Sequence, residues 1–205
     1  MLKTIIFDIG NVLTLFTWKE HFASFSFDPE TSKRLACATV LSDDWKELDL
    51  GILSEEAIID LFVENDPGIE KEIRQVMADT KAMLTRCDYA IPWIDSLKKQ
   101  GYQVLFLSNF SQKTLRECDH AMDFLSHMDG GVFSYKVNLI KPDPAIYQYL
   151  LAKYDLVPSE CVFLDDTLPN IKAAQALGIH GIHFKDYKQA KDALTALCAT
   201  FHPVR

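Results

Sequence analysis

Several patterns that mark secreted, membrane-spanning or zinc-thiolate proteins are missing from the sequence. The five cysteines are an odd number and include no CxxC pair, which argues against a disulfide framework or a zinc site and favours reduced thiols in the cytoplasm. No run approaches the ~20 apolar residues that a transmembrane helix needs. The apolar run after Lys3 is interrupted at Asp8, which is too early for a signal peptide. These absences predict a cytoplasmic protein that has no membrane partner.

Positive charge is also scarce. The chain carries 21 Lys and Arg residues against 29 Asp and Glu residues, and its formal net charge is -8. Because no basic cluster offsets the repulsion, this balance argues against nucleic acid as a partner. A small anionic substrate is compatible with it if a metal ion and one or two lysines supply positive charge locally. No pattern indicates an oligomeric state.

The apolar residues follow different periodicities along the 205-residue chain. Residues 4–7 form a short β-branched and aromatic run, which predicts a buried strand. Residues 17–86 space their apolar positions by three and four, which predicts an all-helical insertion. From Asp88 onward, strands alternate with helices, which predicts a parallel sheet with helices on both faces. We therefore expect a doubly covered α/β fold with a core of residues 1–15 and 87–205 and a helical domain of residues 16–86.

Polar side chains directly follow several of the predicted strands. They are Asp8 after 4–7, Ser108 and Asn109 after 103–107, and Asp165 and Asp166 after 161–164, while Lys141 lies on a loop before a predicted helix. Because the carboxyl ends of parallel strands share one edge of a sheet, we expect these side chains to meet. Gly10 and Asn11 allow a tight turn that presents backbone N–H groups beside Asp8. This set supplies a nucleophile, oxygen ligands for a hard cation and donors for phosphoryl oxygens, which phosphoryl transfer through a covalent intermediate requires.

The order and spacing of four motifs resemble a known superfamily. FDIGNVL, LSN, KPDPAIY and FLDDTLPNIKAA look like the four motifs of the haloacid dehalogenase (HAD) superfamily of phosphohydrolases. Each motif alone is weakly specific, but the ordered set is strongly so. The helical insertion after the first motif resembles the type 1 cap of that superfamily. The resemblance implies a Rossmann-like core, a mobile helical cap and Mg²⁺-dependent phosphatase activity.

The resemblance also implies a role for each motif residue. Asp8 would be the nucleophile and a metal ligand, and Gly10 would bind Mg²⁺ through its main-chain carbonyl. Asp166 would ligate the metal directly, and Asp165 directly or through water. The phosphoryl oxygens would be held by Ser108, the Asn109 N–H and Lys141, with the backbone of Gly10 and Asn11 beside them and Asn170 in a supporting position.

Gly10 departs from the superfamily pattern. Most phosphatases of the superfamily carry a second Asp there, two residues after the nucleophile, which protonates the leaving group and then activates water. General acid–base catalysis of this kind typically raises the rate roughly 10²- to 10⁴-fold. One explanation is a tolerant lineage, since the DxGNV form and an LxxGxxS-like stretch (Leu48, Gly51, Ser54) resemble the bacterial glucose-1-phosphatase branch, whose substrate has a comparatively good leaving group. The others are a replacement acid from the cap or a bound water, and a protein that binds a phosphorylated ligand with little turnover.

The leading prediction is a Mg²⁺-dependent phosphatase of a small phosphorylated metabolite, with a sugar phosphate as the first candidate. A catalytically weak phospholigand-binding or regulatory protein is the alternative, and Gly10 is the feature that favours it. A haloacid dehalogenase fits less well because that reaction needs neither a metal nor the Asp165–Asp166 pair. A phosphomutase would be expected to use the missing acid.

The insertion contains aromatic residues whose role the pattern leaves open. The stripe of Trp18, Phe22, Phe25 and Phe27 is more typical of a core than of a pocket. Phe16 and Trp45 carry the same ambiguity. His21 shows no ligand spacing, and we expect it to be solvated at the surface.

Overall fold

The computed structural model describes residues 1–201. The strands are β1 (Thr4–Phe7), β2 (Thr14–Phe16), β3 (Leu84–Arg86), β4 (Gln103–Ser108), β5 (Gly130–Phe133), β6 (Cys161–Asp165) and β7 (His180–His183). The helices are α1 (Trp18–Ala23), α2 (Pro29–Ala38), α3 (Trp45–Leu50), α4 (Glu55–Asn65), α5 (Glu70–Met77), α6 (Ala90–Lys99), α7 (Gln112–Glu117), α8 (Pro144–Lys153), α9 (Leu168–Ala176) and α10 (Tyr187–Phe201). No helix among these residues is both long and apolar enough to cross a membrane.

β1 lies at the centre of a parallel sheet whose strand order is β5-β4-β1-β6-β7. Ile6 pairs in register with Leu105 of β4 and with Phe163 of β6, and all three side chains are buried. Apolar strands of this kind are stable only where both faces of the sheet are covered. Helices α6 and α10 cover one face, and α8 and α9 cover the other. The predicted α/β fold with a parallel sheet is confirmed.

Helices α1 to α5 surround a hydrophobic cluster of their own. Its fully buried members include Leu35, Phe62 and Ile73. At its edge the Arg34 guanidinium donates two hydrogen bonds to the Asp66 carboxylate, at 2.7 and 2.6 Å. Because this cluster is separate from the clusters that flank the sheet, the insertion has its own source of packing energy.

The expectation that residues 17–86 are helical throughout is wrong at their C-terminal end. β3 pairs antiparallel with β2, and Leu15 lies opposite Thr85. Each of these strands has only three residues, which is too short to produce an alternating apolar pattern. They form because the backbone N–H and C=O groups of each strand hydrogen-bond to those of the other. The two connections between the sheet and the insertion therefore run side by side.

The expectation that His21 is solvated is also wrong. Its side chain is buried, and Nε2 lies 3.0 Å from the Val76 carbonyl oxygen. α1 packs against the turn that follows α5, so this face of α1 points inward. The neighbouring Phe22 is buried in the cluster of the insertion, and Trp18, Phe25 and Phe27 pack against it. The prediction that this aromatic stripe is part of a core is confirmed.

Candidate active site

Three parallel strands bring the candidate residues to one edge of the sheet. Phe7 of β1 lies in register with Phe106 of β4 and with Leu164 of β6. The residues that follow these positions therefore emerge close together at the carboxyl edge. Among them are Asp8 and Asp165.

The Asp8 carboxyl is held through one of its two oxygens. Oδ1 accepts hydrogen bonds from the Ser108 hydroxyl at 2.8 Å and from the Ile9 N–H at 2.7 Å. Lys141 Nζ lies 2.9 Å from the same oxygen. No residue within 1–201 donates a hydrogen bond to Oδ2. The carboxyl is thus fixed in orientation while one oxygen keeps its lone pairs free.

Lys141 is positioned by the side chain of Asn109. The Asn109 Nδ2 donates to the Lys141 carbonyl at 3.0 Å, and the Lys141 N–H donates to Asn109 Oδ1 at 2.7 Å. This reciprocal pair fastens the loop before α8 to the end of β4. The buried Lys141 ammonium then reaches both Asp8 and Asp165, the latter at 2.6 Å. Asn109 therefore helps to place the cation as well as presenting its own N–H.

The two carboxylates after β6 differ in their surroundings. Asp165 is fully buried and accepts hydrogen bonds from the Lys141 ammonium, the Thr167 N–H and the Asn170 side chain. Asp166 is partly exposed, and its Oδ2 accepts from Asn11 Nδ2 at 3.2 Å. Asp165 is therefore locked in place, whereas Asp166 has the freedom to bind a ligand.

The carboxyl cluster carries more negative than positive charge. Oxygens of Asp8, Asp165 and Asp166 all lie within 4.8 Å of one another. Burial raises the pKa of Asp8 and of Asp166, and in both cases the charge of Asp165 adds to that effect. Burial alone would lower the pKa of Lys141, but the carboxylates of Asp8 and Asp165 outweigh it and raise that pKa. Three carboxyls facing one ammonium form a set of hard oxygen ligands with unbalanced charge, which fits a cation such as Mg²⁺.

The backbone after Asp8 turns sharply at Asn11, whose φ is 54°. The Asn11 side chain bridges Asp166 and the Phe16 N–H, so it braces the turn. A Cβ atom at Gly10 would have no atom within 4 Å. Gly10 therefore leaves open space beside the nucleophile candidate.

A cleft of about 190 Å³ lies above this edge of the sheet. The core supplies Asp8, Gly10, Asn11, Asn109, Phe110, Ser111, Thr114, Asp166 and Thr167, and the insertion and its β2–β3 connection supply Phe16, Trp45, Asp49 and Leu84. Phe16 and Trp45 have both of the roles that the sequence left open, because they line the cleft and also pack against the hydrophobic cluster of the insertion. The insertion therefore forms one wall of the cleft.

Asp49 is a cleft residue that sequence reasoning missed. It lies near the end of α3 and is partly buried. Its pKa is raised to about 7, first by burial and then by the nearby Asp8 carboxylate, while Lys141 opposes the shift. The only signal in the sequence was its position beside the Leu48–Gly51–Ser54 stretch.

The fold and this constellation match a known class of hydrolases. The model of the haloacid dehalogenase-like hydrolase family matches residues 2–178, and the chain belongs to that family. It is 28% identical over 187 residues to the sesquiterpene phosphatase astK of Aspergillus oryzae, and the match covers 90% of each chain. It is 25% identical over 162 residues to (S)-2-haloacid dehalogenase 1 of Pseudomonas sp., covering 71% of each.

Two solved structures share the fold. A HAD-like family hydrolase from Porphyromonas gingivalis superposes with a TM-score of 0.73 and 22% identity, covering 97% of this chain and 98% of that one. A HAD family enzyme from Bacteroides thetaiotaomicron superposes with a TM-score of 0.68 and 21% identity, covering 91% and 98%. The second structure was solved in complex with magnesium and inorganic phosphate.

Proposed function

We propose that this chain is a Mg²⁺-dependent phosphatase that hydrolyses a small phosphomonoester through an aspartyl-phosphate intermediate on Asp8. The observation that carries the proposal is the Asp8 carboxyl, which has one oxygen held by three donors and the other free, beside a carboxyl cluster suited to a cation. The Mg²⁺ and phosphate bound by the Bacteroides enzyme and the phosphatase activity named for astK support it.

Asp8 acts as the nucleophile, and its neighbours bind the phosphoryl group. Asp8 Oδ2 attacks phosphorus, and the bond to the leaving oxygen breaks. Ser108, the Asn109 N–H, Lys141 and the backbone of Gly10 and Asn11 bind the phosphoryl oxygens. A water molecule then attacks the aspartyl phosphate, which releases inorganic phosphate and restores Asp8. Ser108 and Lys141 already lie within hydrogen-bonding distance of Asp8, so both donors are beside the reacting carboxyl before a substrate binds.

The metal would be held by Asp8, Asp166 and the Gly10 carbonyl, with Asp165 as a direct or water-mediated ligand. When bound, it neutralises charge between the carboxylate nucleophile and the dianionic phosphoryl group. Asn170, Thr167 and Lys141 keep Asp165 in a fixed orientation. Such supporting contacts typically tune a metal site.

We further propose that residues 16–86 act as a type 1 cap on a core of residues 1–15 and 87–205. The cap supplies the wall formed by Trp45 and Asp49, which would exclude water and select the substrate. Aromatic faces combined with polar side chains suit a sugar phosphate, and the DxGNV form resembles the glucose-1-phosphatase branch. The name of astK makes an isoprenoid-type phosphate the competing substrate class.

A haloacid dehalogenase is disfavoured even though one relative carries that name. Dehalogenation uses no metal, and the excess negative charge of the Asp8, Asp165 and Asp166 cluster would then have no purpose. A phospholigand-binding protein without turnover is the outcome to expect if Asp8 never becomes phosphorylated.

The proposal is tested by phosphate release from p-nitrophenyl phosphate, glucose 1-phosphate and farnesyl phosphate, with and without Mg²⁺. Asp8→Asn, which keeps the shape of the side chain, is expected to lower kcat by at least roughly 10³-fold with unchanged circular dichroism. Asp119→Asn, at an exposed position of the core, is the matched control and is expected to behave as wild type. Metal-independent release, or substantial turnover by Asp8→Asn, would contradict the proposal.

A further inference from the structure

Hydrolysis of a phosphomonoester leaves an oxyanion that needs a proton unless it is unusually stable. Among residues 1–201, the carboxyl and ammonium groups on the core side of the cleft are all engaged, so none is free to give one. Asp8 is the nucleophile of the proposed reaction, Asp165 already accepts from three side chains or amides, and Lys141 is paired with both carboxylates. Asp166 belongs to the carboxyl cluster suited to a cation. The proton must therefore come from water or from the insertion.

Asp49 is the carboxyl that the insertion contributes to the cleft. Its side chain makes no hydrogen bond to any residue between 1 and 201, and it lies outside the group formed by Asp8, Asp165 and Asp166. We propose that Asp49 is the catalytic acid and base of this enzyme, reaching the leaving oxygen from the insertion side of the cleft. This inference rests on the proposed phosphatase function and adds a residue to it.

The segment that carries Asp49 is fastened to the core. The Ser134 hydroxyl donates to the Asp49 carbonyl oxygen at 2.5 Å, and Asn138 Nδ2 donates to the Leu50 carbonyl oxygen at 2.9 Å. Gly51, with φ of 68°, lies so close to Tyr135 that a Cβ atom there would come within 2.7 Å of the tyrosine Cβ. These contacts fix where the end of α3 sits relative to the sheet.

The same hydroxyl connects the segment to the phosphate-binding loop. Ser134 Oγ accepts a hydrogen bond from the Phe110 N–H at 2.9 Å, next to the Ser108–Asn109 pair. One side chain of the core thus touches both the backbone of Asp49 and the loop that would hold the phosphoryl group. A general acid has to be held at a constant distance from the scissile bond, and these contacts hold the backbone of Asp49 against the loop beside that bond.

Gly10 leaves the core without a side chain that could transfer this proton. No atom lies within 4 Å of a Cβ placed there, so the core leaves space beside Asp8 where a side chain is usually needed for proton transfer. An acid that enters from the insertion fills the same chemical role from the opposite wall.

Asp49 takes part in both half-reactions. In the first half-reaction Asp8 Oδ2 forms a bond to phosphorus, the bond from phosphorus to the ester oxygen breaks, and the Asp49 carboxyl gives its proton to that oxygen. The alcohol then leaves. In the second, water bonds to phosphorus while the Asp49 carboxylate takes a proton from it, and the bond from phosphorus to Asp8 breaks. Inorganic phosphate leaves with both carboxyls in their starting states.

The surroundings of Asp49 raise the pKa of its carboxyl to about 7. Burial and the Asp8 carboxylate raise its pKa, and Lys141 opposes them. The other charged or titratable groups on the elements packed against α3, or in the cleft, are Asp166, Lys113, Arg116, Glu117, Tyr135, Lys136, Glu55, Glu56, Asp60 and Glu64. None of them hydrogen-bonds to Asp49.

The test compares two substrates of nearly the same shape. Phenyl phosphate has a basic leaving group that needs a proton, whereas p-nitrophenyl phosphate has a stable one that does not. Asp49→Asn is expected to lower kcat/KM for phenyl phosphate roughly 10²-fold or more, and for p-nitrophenyl phosphate less than about tenfold. Asp43→Asn, an exposed neighbour in the insertion, is the matched control and is expected to leave both values unchanged.

Equal losses for both substrates would overturn the acid role and make Asp49 a merely structural residue, while the phosphatase function would stand. The acid role would also be overturned if Asp49→Asn left kcat/KM unchanged for both substrates. If the wild-type protein released phosphate from neither aryl ester, nor from glucose 1-phosphate or farnesyl phosphate, the proposed function itself would be wrong, and the acid role with it.

Restoration by a second substitution provides an independent test. Gly10→Asp places a carboxyl in the open space beside Asp8. In the Asp49→Asn background it is expected to raise kcat/KM for phenyl phosphate at least about tenfold. The recovery is expected to be much smaller on p-nitrophenyl phosphate. Recovery of the same size on both esters would show that the new side chain acts by packing, which would overturn the proposal.

Discussion

The contact between Lys141 and Asp8 places two opposite charges where water is almost absent. The Lys141 side chain is 1% exposed and that of Asp8 is 11% exposed. Burying such a pair is costly, and its attraction repays the cost only when every charge keeps its partner. Because Lys141 also forms an ion pair with Asp165, one cation balances two buried carboxyls. The site is therefore stable only while that cation, or another one, is present.

Lys141→Met, which keeps the length of the side chain but removes its charge, is expected to lower the free energy of unfolding by roughly 3–5 kcal/mol without Mg²⁺. We expect a smaller loss with saturating Mg²⁺, because the metal then supplies the missing charge. The loss should also grow as the pH rises, since the raised pKa of Asp8 means that the variant binds a proton at low pH and must hold a bare carboxylate at high pH. Urea denaturation at several pH values measures this.

Lys99→Met is the matched control, because Lys99 is exposed at the end of α6 and pairs with no carboxylate of residues 1–201. Its free energy of unfolding is expected to be unchanged within about 0.5 kcal/mol. If the free energy of unfolding lost in Lys141→Met were the same with and without Mg²⁺ and at every pH, packing rather than charge would explain the role of Lys141.

Residues at strand ends could be located from the sequence, whereas residues on the insertion could not. Asp8 and Asp165 follow buried apolar runs, so the parallel sheet alone predicts that they meet. Asp49 gives no comparable signal, because a six-residue helix does not reveal which of its polar side chains turns inward. Its position depends on two contacts that are distant in sequence, from Ser134 to the Asp49 carbonyl oxygen across 85 residues and from Asn138 to the Leu50 carbonyl oxygen across 88.

At the scale of elements, α7 joins the core to the insertion through Glu117. The Glu117 carboxylate accepts hydrogen bonds from the Thr80 N–H and hydroxyl, at 2.8 and 2.7 Å, and from the Lys113 ammonium at 2.6 Å. On the other side, Arg116 makes two hydrogen bonds to Glu55 at the start of α4. The insertion is therefore fastened to α7 at two separate points.

Glu117→Gln is expected to lower the free energy of unfolding at neutral pH by about 1–3 kcal/mol. Burial alone would raise the pKa of Glu117, but Lys113 and Thr80 outweigh it and lower that pKa from 4.5 to about 2. Because the folded pKa is the lower one, this stabilisation is complete above about pH 4.5 and disappears as the pH falls towards 2. The difference between wild type and variant, measured by denaturant unfolding, should shrink over that interval.

Glu64→Gln serves as the control for this measurement, since Glu64 is exposed on α4 and makes no ion pair within residues 1–201. We expect its stability to follow that of the wild type at every pH. If the Glu117→Gln difference stayed constant between pH 6 and pH 3, the carboxylate contacts would not be the source of the stabilisation.

Most elements of the core were predictable because each carries its own signal. β1, β4 and β6 are continuous apolar runs, and helices such as α8 begin with a proline after a capping aspartate. The β2–β3 pair was missed because neither strand has a pattern of its own. It exists only where the fold brings residues 14–16 beside 84–86. Contacts of this kind are set by the tertiary structure and not by local sequence.

Over the whole molecule, an excess of negative charge coincides with a cluster of carboxyls at the cleft. The formal net charge is -8, and Asp8, Asp49 and Asp166 all line the same cavity. A dianionic substrate would be repelled from such a surface. A bound divalent cation reverses the local balance, so metal binding is expected to precede substrate binding and to stabilise the folded chain.

Saturating Mg²⁺ is expected to raise the Tm by about 5–10 °C, because a ligand at about 100 times its Kd contributes roughly 2.7 kcal/mol and a chain of this size shifts by about 2–4 °C per kcal/mol. Asp166→Asn should abolish most of that rise, since Asp166 is the cluster member with freedom to bind a ligand. Asp43→Asn should keep it, and KCl at equal ionic strength should not reproduce it. Thermal unfolding before and after chelation by EDTA measures each case. A rise of equal size in wild type and Asp166→Asn would place the metal elsewhere, and the charge argument for this edge of the sheet would fail with it.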